Sequence, residues 1–442
     1  MTSLSVPMAR SVSSPLVLAH GVLLTCYLIF SFVGTSPFGS FGTLADRLAG
    51  DSVNRTIVIA MLMLALPILW HCREDAAACV RGNRLLVAVL AICVASVLWS
   101  EFPGLTIRRA LLFILLTISA VAIAAGPIGI RGIHRVLFIV LTGIVVVNLL
   151  AAAVWPAVAF DDIGLKGMHI QKNVAGNVAM IAVVVAVTWA WGARTGLARF
   201  IGLVAIAMSV LFLVLTRSKT SIGLTAMGLA AGFVVLLVLR LRERAALGIM
   251  AIGLAGLAGV LGLLAVLDFN AVEALETIGG DATVTGRDEL WAFAWKSANL
   301  RPWLGYGYGA FWDVGEAFDP LVKLEPGTWL GDVEKGIINQ AHNGYLELWL
   351  HIGWPATVLA VISVVLAIKT AGRRATHAVP ETGSGPAFAA AGLLLLMYLF
   401  HNLTEATLFI RGTPFCNIAT LLMLLAARPE LSAPLASIPR PS

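Results

Sequence analysis

Thr285-Gly286-Arg287-Asp288-Glu289-Leu290-Trp291 opens the one long polar segment of this chain, and Gln340-Ala341-His342-Asn343-Gly344-Tyr345-Leu346-Glu347 closes it. Between them runs Pro302-Trp303-Leu304-Gly305-Tyr306-Gly307-Tyr308-Gly309-Ala310-Phe311. Everything before and after reads as hydrophobic scaffold. The fold implied is a bundle of apolar helices that holds a polar segment at one face.

Of the 442 residues, 59% are hydrophobic and 12% charged, with a mean hydropathy of +0.92. Soluble domains carry about 25% charged residues, so the chain reads as an integral membrane protein. The net charge of +6 comes from basic residues scattered singly between apolar runs. They make no continuous basic stripe, which argues against nucleic acid as a partner. Cys26, Cys72, Cys79, Cys93 and Cys416 are odd in number and lack metal-like pairing, so they read as packing residues.

A bilayer core needs about 20 apolar residues per helix. By that measure the fold is all-α, with about twelve transmembrane helices at 16-34, 56-71, 84-100, 109-126, 134-155, 174-192, 199-216, 221-239, 245-267, 344-368, 386-405 and 411-427. They form one polytopic domain over residues 1-442, with a long loop at 268-343 between spans 9 and 10. The first run is too long for a removable signal peptide and reads as the first span. An even count places both termini on one side. Arg73, Arg81, Arg84, Arg131, Arg135, Lys369, Arg373 and Arg374 fall in segments on that side, as the positive-inside rule expects of the cytoplasm. The 268-343 loop then faces outward, and its short helices are expected to be amphipathic.

Arg108, Arg109, Lys172, Arg217, Lys219 and Arg411 sit at the outer ends of spans, against that rule. Any one of them could snorkel to lipid head groups. As a group on the face of the long loop they look like a cationic site. Arg217-Ser218-Lys219 and Lys172 place donors where a lipid-linked diphosphate would lie, and guanidinium forks suit phosphate oxygens. Asp161-Asp162 offers the alternative of a divalent cation on a sugar diphosphate.

Within the polar segment, Thr285-x-x-Asp288 has the spacing of a capping box, and Leu290, Trp291, Ala294, Trp295 and Ala298 recur at helical spacing. This predicts an amphipathic helix over 286-300. Its first amides and Arg287 would face an anion, unless Arg287 only pairs with Asp288 or Glu289. Gly305-Tyr306-Gly307-Tyr308-Gly309 occurs once, whereas a potassium filter needs four copies around an axis. A turn allowing close backbone approach, with tyrosines packing or stacking on sugar rings, fits better. His342, at the start of a span, suits a general base that takes a hydroxyl proton, or a histidine simply hydrogen-bonded at the interface. His351 and His401 fall inside spans and read as interior residues.

The ordered set of motifs resembles the O-antigen ligase and ExoQ-type exopolysaccharide polymerase superfamily. It runs from Val97-Leu98-Trp99-Ser100-Glu101-Phe102-Pro103 with Arg108-Arg109, through Gln171-Lys172-Asn173, Thr216-Arg217-Ser218-Lys219-Thr220, Thr285-Gly286-Arg287 and Gly305-Tyr306-Gly307, to His342-Asn343-Gly344-Tyr345-Leu346 and Asn402-Leu403-Thr404-Glu405. The resemblance implies a GT-C type glycosyltransferase of the bacterial inner membrane that works at the periplasmic face without metal or other cofactor. Its substrates would be glycans carried by undecaprenyl diphosphate. Under it His342 activates the acceptor hydroxyl, and Arg217 and Arg287 hold the donor diphosphate. Lys172, Lys219, Arg108 and Arg109 are the further candidate diphosphate contacts, and Tyr306, Tyr308, Asn343 and Tyr345 the candidate glycan contacts.

Arginines fixed in a water-poor site stabilise a leaving diphosphate as a metal would, and a base on the opposite side of the sugar implies inversion. The partners expected are a lipid-linked glycan donor, a glycan or lipid A-core acceptor, membrane lipids, and polysaccharide export or chain-length proteins. A polymerase is the first expectation and a ligase to lipid A-core the second. A transporter would want charged or helix-breaking residues near mid-membrane, whereas here the ionisable residues crowd the outer ends and the spans lack paired interruptions.

Overall fold

The computed structural model describes residues 14–39, 48, 50–240, 285–324, 327, 329–332, 338–378 and 383–428. The expected span at 245-267 and the start of the 268-343 segment lie outside them. The protein is mostly helical. In chain order come α1 (Ser14–Val33), α2 (Ser52–His71), α3 (Arg73–Gly82), α4 (Arg84–Ala95), α5 (Pro103–Ala125), α6 (Ile130–Val154), α7 (Lys172–Gly192), α8 (Gly196–Leu215) and α9 (Lys219–Arg240). After the undescribed stretch follow α10 (Thr285–Leu300), α11 (Gly344–His377), α12 (Gly385–His401) and α13 (Pro414–Ala427). A two-residue antiparallel pairing, Phe160–Asp161 with Gly164–Leu165, is the β structure among the described residues.

Seven of these helices, α1, α2, α5, α6, α7, α8 and α11, are long and apolar enough to cross a membrane. An eighth candidate is the pair formed by α3 and the Arg84–Leu98 segment, which bends by 84° at Asn83. The expected span at 84-100 is therefore half of a broken element, and residues 73–82, read as connector, are helical. Of the other expected spans, 221-239 falls in α9, which is not among these candidates, 245-267 lies outside the described residues, and 386-405 and 411-427 fall in α12 and α13, of 17 and 14 residues. At helical rise these reach about 26 Å and 21 Å, short of a hydrocarbon core of about 30 Å.

The 402–413 loop that joins them is largely buried between its neighbours. Buried irregular backbone needs partners for its polar groups. Asn402 Oδ1 accepts from Thr407 N at 2.8 Å. Tyr398 Oη donates to Thr407 O and accepts from Phe409 N, each at 2.8 Å. Tyr308 Oη donates to Phe409 O at 2.7 Å and accepts from Arg411 N at 3.1 Å.

Helix α10 forms where the periodicity predicts. Leu290, Ala294 and Ala298 are buried and, with Phe311, Trp312, Leu321, Leu330, Ala341 and Leu350, build a small second core beside the main bundle. Trp291 Nε1 donates to Ala341 O at 3.0 Å, whereas Trp295 remains 56% exposed with its ring edge-on to Trp349. The polar segment thus packs as a structured cap through its own apolar residues.

Helix α11 breaks at Gly353, whose φ of 82° lies outside the helical region. The Gly-rich turn docks into the break. Tyr306 N donates to Leu350 O at 2.8 Å, Gly307 N to His351 O at 3.0 Å and Trp354 N to Pro302 O at 2.9 Å. A Cβ on Gly353 would come within 2.0 Å of Trp303 O, so only glycine permits this approach. The 96–109 segment closes the other side of the turn. Ser96 Oγ accepts from Tyr308 N at 2.9 Å, Trp99 Nε1 donates to Leu304 O at 2.9 Å, and Arg301 pairs with Glu101.

Candidate active site

Glu405 sits at the centre of the polar cluster. Its side chain is only 9% exposed, yet four separate parts of the chain meet there. His342 Nδ1 lies 3.2 Å from Glu405 Oε2. Arg287 Nη2 reaches Glu405 Oε1 at 3.4 Å, while Arg287 Nη1 donates to Thr404 O at 3.0 Å. Asn173 Nδ2 donates to the same Oε1 at 3.0 Å. A carboxylate only accepts, so Nδ1 carries the hydrogen and Nε2 keeps a lone pair while the imidazole is neutral. Burial pushes the Glu405 carboxyl up. The hydrogen bond from His342 and the charges of His342, His401 and Arg287 outweigh that and hold it below its ordinary value.

Helix geometry and backbone strain aim these groups. Asn343 is the N-cap of α11, its Oδ1 accepting from Tyr345 N and Leu346 N at 3.1 Å each. That cap leaves His342 just outside the helix with φ 47°. Among the described residues, five non-glycine residues have positive φ, and His342 and Arg217 are two of them. Such conformations cost about 1–3 kcal/mol each and persist where surrounding contacts fix them. For His342 the fixing contact is Glu347, whose Oε2 accepts from Ala341 N at 2.7 Å and from Trp312 Nε1 at 3.0 Å. Glu347 also meets His351 Nε2 at 3.1 Å, one turn along α11. The chain closes tightly here as well, since a Cβ on Gly344 would lie 2.0 Å from Asn402 Oδ1.

Arg217 reaches this cluster through its neighbour. Ser218 Oγ lies 3.4 Å from Asn173 Oδ1 and 3.0 Å from Ser221 Oγ, and Asn173 in turn donates to Glu405. Arg217 itself is exposed beside this relay, as is Lys219. Lys172 is adjacent to Asn173 and donates to Ile163 O at 3.4 Å. Arg287, His342 and the 172–173 and 217–219 segments therefore share one end of the bundle, joined by hydrogen bonds around one carboxylate.

Other expected contacts have different roles in this structure. Arg109 is buried, with its guanidinium donating to Gly309 O, to Trp312 O at 3.1 Å and to Asp313 O at 3.0 Å. It clamps the 309–313 loop instead of facing a diphosphate. Arg108 is exposed and donates to Leu48 O. Tyr308 is fully buried, with its ring stacked on Phe113, so it offers no face to a sugar. Tyr306 is half-buried, covered by Phe311 and the Arg301 guanidinium, with its hydroxyl on Ser297 O at 2.9 Å. The Tyr345 hydroxyl donates to Leu399 O at 2.7 Å, and Asn343 Nδ2 donates to Leu403 O at 3.2 Å. Asp161 Oδ1 accepts from Ile163 N and Gly164 N, which makes it a turn residue.

Sequence reading does not single out Glu405 or Glu347 as site residues. The signal for Glu405 is present in Asn402-Leu403-Thr404-Glu405, a motif of polar residues at the end of an apolar run. The signal for Glu347 and His351 is their four-residue spacing, which puts both on one helix face.

A many-spanning apolar bundle thus gathers a histidine, a carboxylate and several cations at one end. Residues 203–361, which include Arg217, Arg287, His342 and Glu347, match the family described as O-Antigen ligase. The chain is also 27% identical over 284 residues to the exopolysaccharide production protein ExoQ of Rhizobium meliloti (strain 1021). That alignment covers 62% of this chain and 61% of the relative, so it spans about three fifths of the relative's length. The two matches support a place for the chain in the O-antigen ligase and ExoQ superfamily.

Proposed function

We propose that the protein is a membrane glycosyltransferase that moves a glycan from undecaprenyl diphosphate to the hydroxyl of an acceptor sugar. In this reading it lies in the inner membrane with both termini in the cytoplasm and the Glu405 cluster at the periplasmic face. The observation that carries the reading is the meeting of His342 and Arg287 on one buried carboxylate. Glu405 fixes the imidazole with Nδ1–H inward, so that Nε2 takes the proton of the attacking hydroxyl. The acceptor oxygen bonds to the anomeric carbon as the bond from that carbon to the diphosphate oxygen breaks, and the bonding pair leaves with the diphosphate. Arg287 and Arg217, with Lys172 and Lys219 nearby, stabilise the charge that develops there, so no metal is required. Attack opposite the leaving group inverts the sugar.

Similarity to a protein named for exopolysaccharide production favours a polymerase, whose acceptor is another lipid-linked repeat unit. The O-Antigen ligase description of the matched family supports the second reading, transfer of finished glycan to lipid A-core. Purified protein given a lipid-linked repeat unit alone decides between them. Chain growth is expected of a polymerase; no growth, with transfer once lipid A-core is added, identifies a ligase. Transfer to neither overturns both readings.

A further inference from the structure

Glu405 is not the only carboxylate buried at this end of the bundle. Glu347 is 3% exposed in the first turn of α11, and the proposed reaction gives it no task. Three donors surround it. Ala341 N at 2.7 Å and Trp312 Nε1 at 3.0 Å share Oε2, while His351 Nε2 lies 3.1 Å from Oε1. A carboxylate only accepts, so the hydrogen of a neutral His351 sits on Nε2. Its Nδ1 is then buried without a partner among the described residues. An unpartnered buried acceptor is costly. What the ring supplies is the bond that fixes how the Glu347 carboxylate is turned.

Buried and held by three donors, the carboxylate is closed to a substrate, and its bonds join separate parts of the chain instead. Trp312 belongs to the 309–313 loop, which Arg109 clamps at Gly309 O, Trp312 O and Asp313 O. Ala341 directly precedes His342, whose φ of 47° falls in a region that side chains rarely adopt. Beyond it, Asn343 caps α11 through Tyr345 N and Leu346 N. The strained residue is therefore anchored on both sides, by Glu347 before it and by the cap after it. From that backbone its imidazole reaches Glu405 Oε2 at 3.2 Å.

We propose that Glu347 is a positioning residue for His342. Through Ala341 N it holds the strained backbone that aims the imidazole, and through Trp312 it ties that aim to the loop that follows the docked Gly-rich turn. The assignment rests on the glycosyltransferase reading, in which His342 takes the proton of the acceptor hydroxyl. A residue that only stabilised the fold would neither separate kcat from KM nor act solely through His342.

Transfer kinetics with donor and acceptor each varied test the role. Glu347→Gln keeps the shape and an oxygen for Ala341 N but loses the charge behind that bond. Its kcat should fall about tenfold, the difference between a charge-assisted and a neutral hydrogen bond, with KM for both substrates unchanged. Glu347→Asp retracts the charge by one methylene and gives the same pattern if the glutamine variant unfolds. In His342→Ala, adding Glu347→Gln should leave the residual rate as it is, because the group that Glu347 aims is gone. An unchanged kcat, a raised KM or a further loss in the double variant overturns the assignment. A second arm needs no turnover. Gln340 and Ala341 are the one Gln-Ala pair of the chain. Full-length protein in detergent, isotope-labelled at the glutamine carbonyl carbon and the alanine nitrogen, therefore gives a single correlated amide signal in NMR. A short bond to a carboxylate should place that proton downfield and protect it from exchange, and Glu347→Gln should move it upfield. An amide that does not move rejects the proposal. If the wild type transfers nothing, the glycosyltransferase reading fails, and the Ala341 amide alone decides whether Glu347 holds the backbone at His342.

Discussion

His342 Nδ1 and Glu405 Oε2 lie 3.2 Å apart although 63 residues separate them in the chain. The contact fixes both the tautomer and the direction of the imidazole, as a carboxylate does wherever a histidine serves as a base. Glu405→Gln keeps the shape but can offer its NH2 to the ring, which turns the tautomer around. Transfer rates should fall by about 10²–10⁴-fold with little change in KM, and His342→Ala should fall as far. The double variant should be no worse than either single one. Activity near wild type in Glu405→Gln would remove the carboxylate from the mechanism.

Arg287 bonds Glu405 and Thr404 O while a quarter of its side chain, 26%, remains open. That leaves donors for a leaving group. Arg287→Lys retains charge but not the fork and should lose about 10²–10³-fold in kcat, with Arg217→Ala comparable. Rates measured with donors of different leaving-group acidity check this. Loss of the arginine should hurt the poorest leaving group most, and a uniform loss would point to folding.

Tyr308 separates a packing role from sugar stacking. Removing its hydroxyl in Tyr308→Phe leaves Phe409 O and Arg411 N without their buried partner, a cost of about 1–3 kcal/mol. The melting temperature should drop, while KM for glycan substrates stays as it was. A rise in KM at unchanged stability would restore the sugar-contact role.

The lowered Glu405 pKa fixes the sign of one pH effect. A carboxyl whose folded value lies below its unfolded one stabilises the protein above about pH 4.5, and that contribution is lost as pH falls through the folded value. Wild type should therefore melt higher than Glu405→Gln at pH 7, and the gap should narrow as the pH falls below about 4.5. Thermal unfolding in detergent across that range tests it. A gap that widens on acidification contradicts the assignment.

The long spans are legible in the sequence because about 20 apolar residues leave the backbone no alternative to a helix in lipid. Helix α10 is equally readable from its Leu290, Ala294 and Ala298 spacing. Arg287 and His342 can be picked out by chemistry, since ionisable groups at the boundaries of apolar runs are conspicuous. Glu405 cannot be assigned that way, because no periodicity links it to His342 or to Asn173, 232 residues away. Tyr308 shows the limit from the other side. Gly-Tyr-Gly-Tyr-Gly reads the same whether the rings face solvent or core, and only the docking of the turn into the break at Gly353 decides it. The ends of α12 and α13 differ from the expected spans 386-405 and 411-427 by up to four residues, Asn402 to Glu405 and Arg411 to Thr413 lying in the loop between them.

The position of the 402–413 loop late in the chain bears on how the protein is made. Arg287 and His342 are synthesised first, on elements that fold with α10 and the start of α11, while Glu405 arrives on the hairpin of α12 and α13. A nascent chain therefore holds its cations and its histidine without the carboxylate that unites them. Docking of the last two helices, held by Tyr308 and Tyr398, brings Glu405 to residues that precede it in the chain.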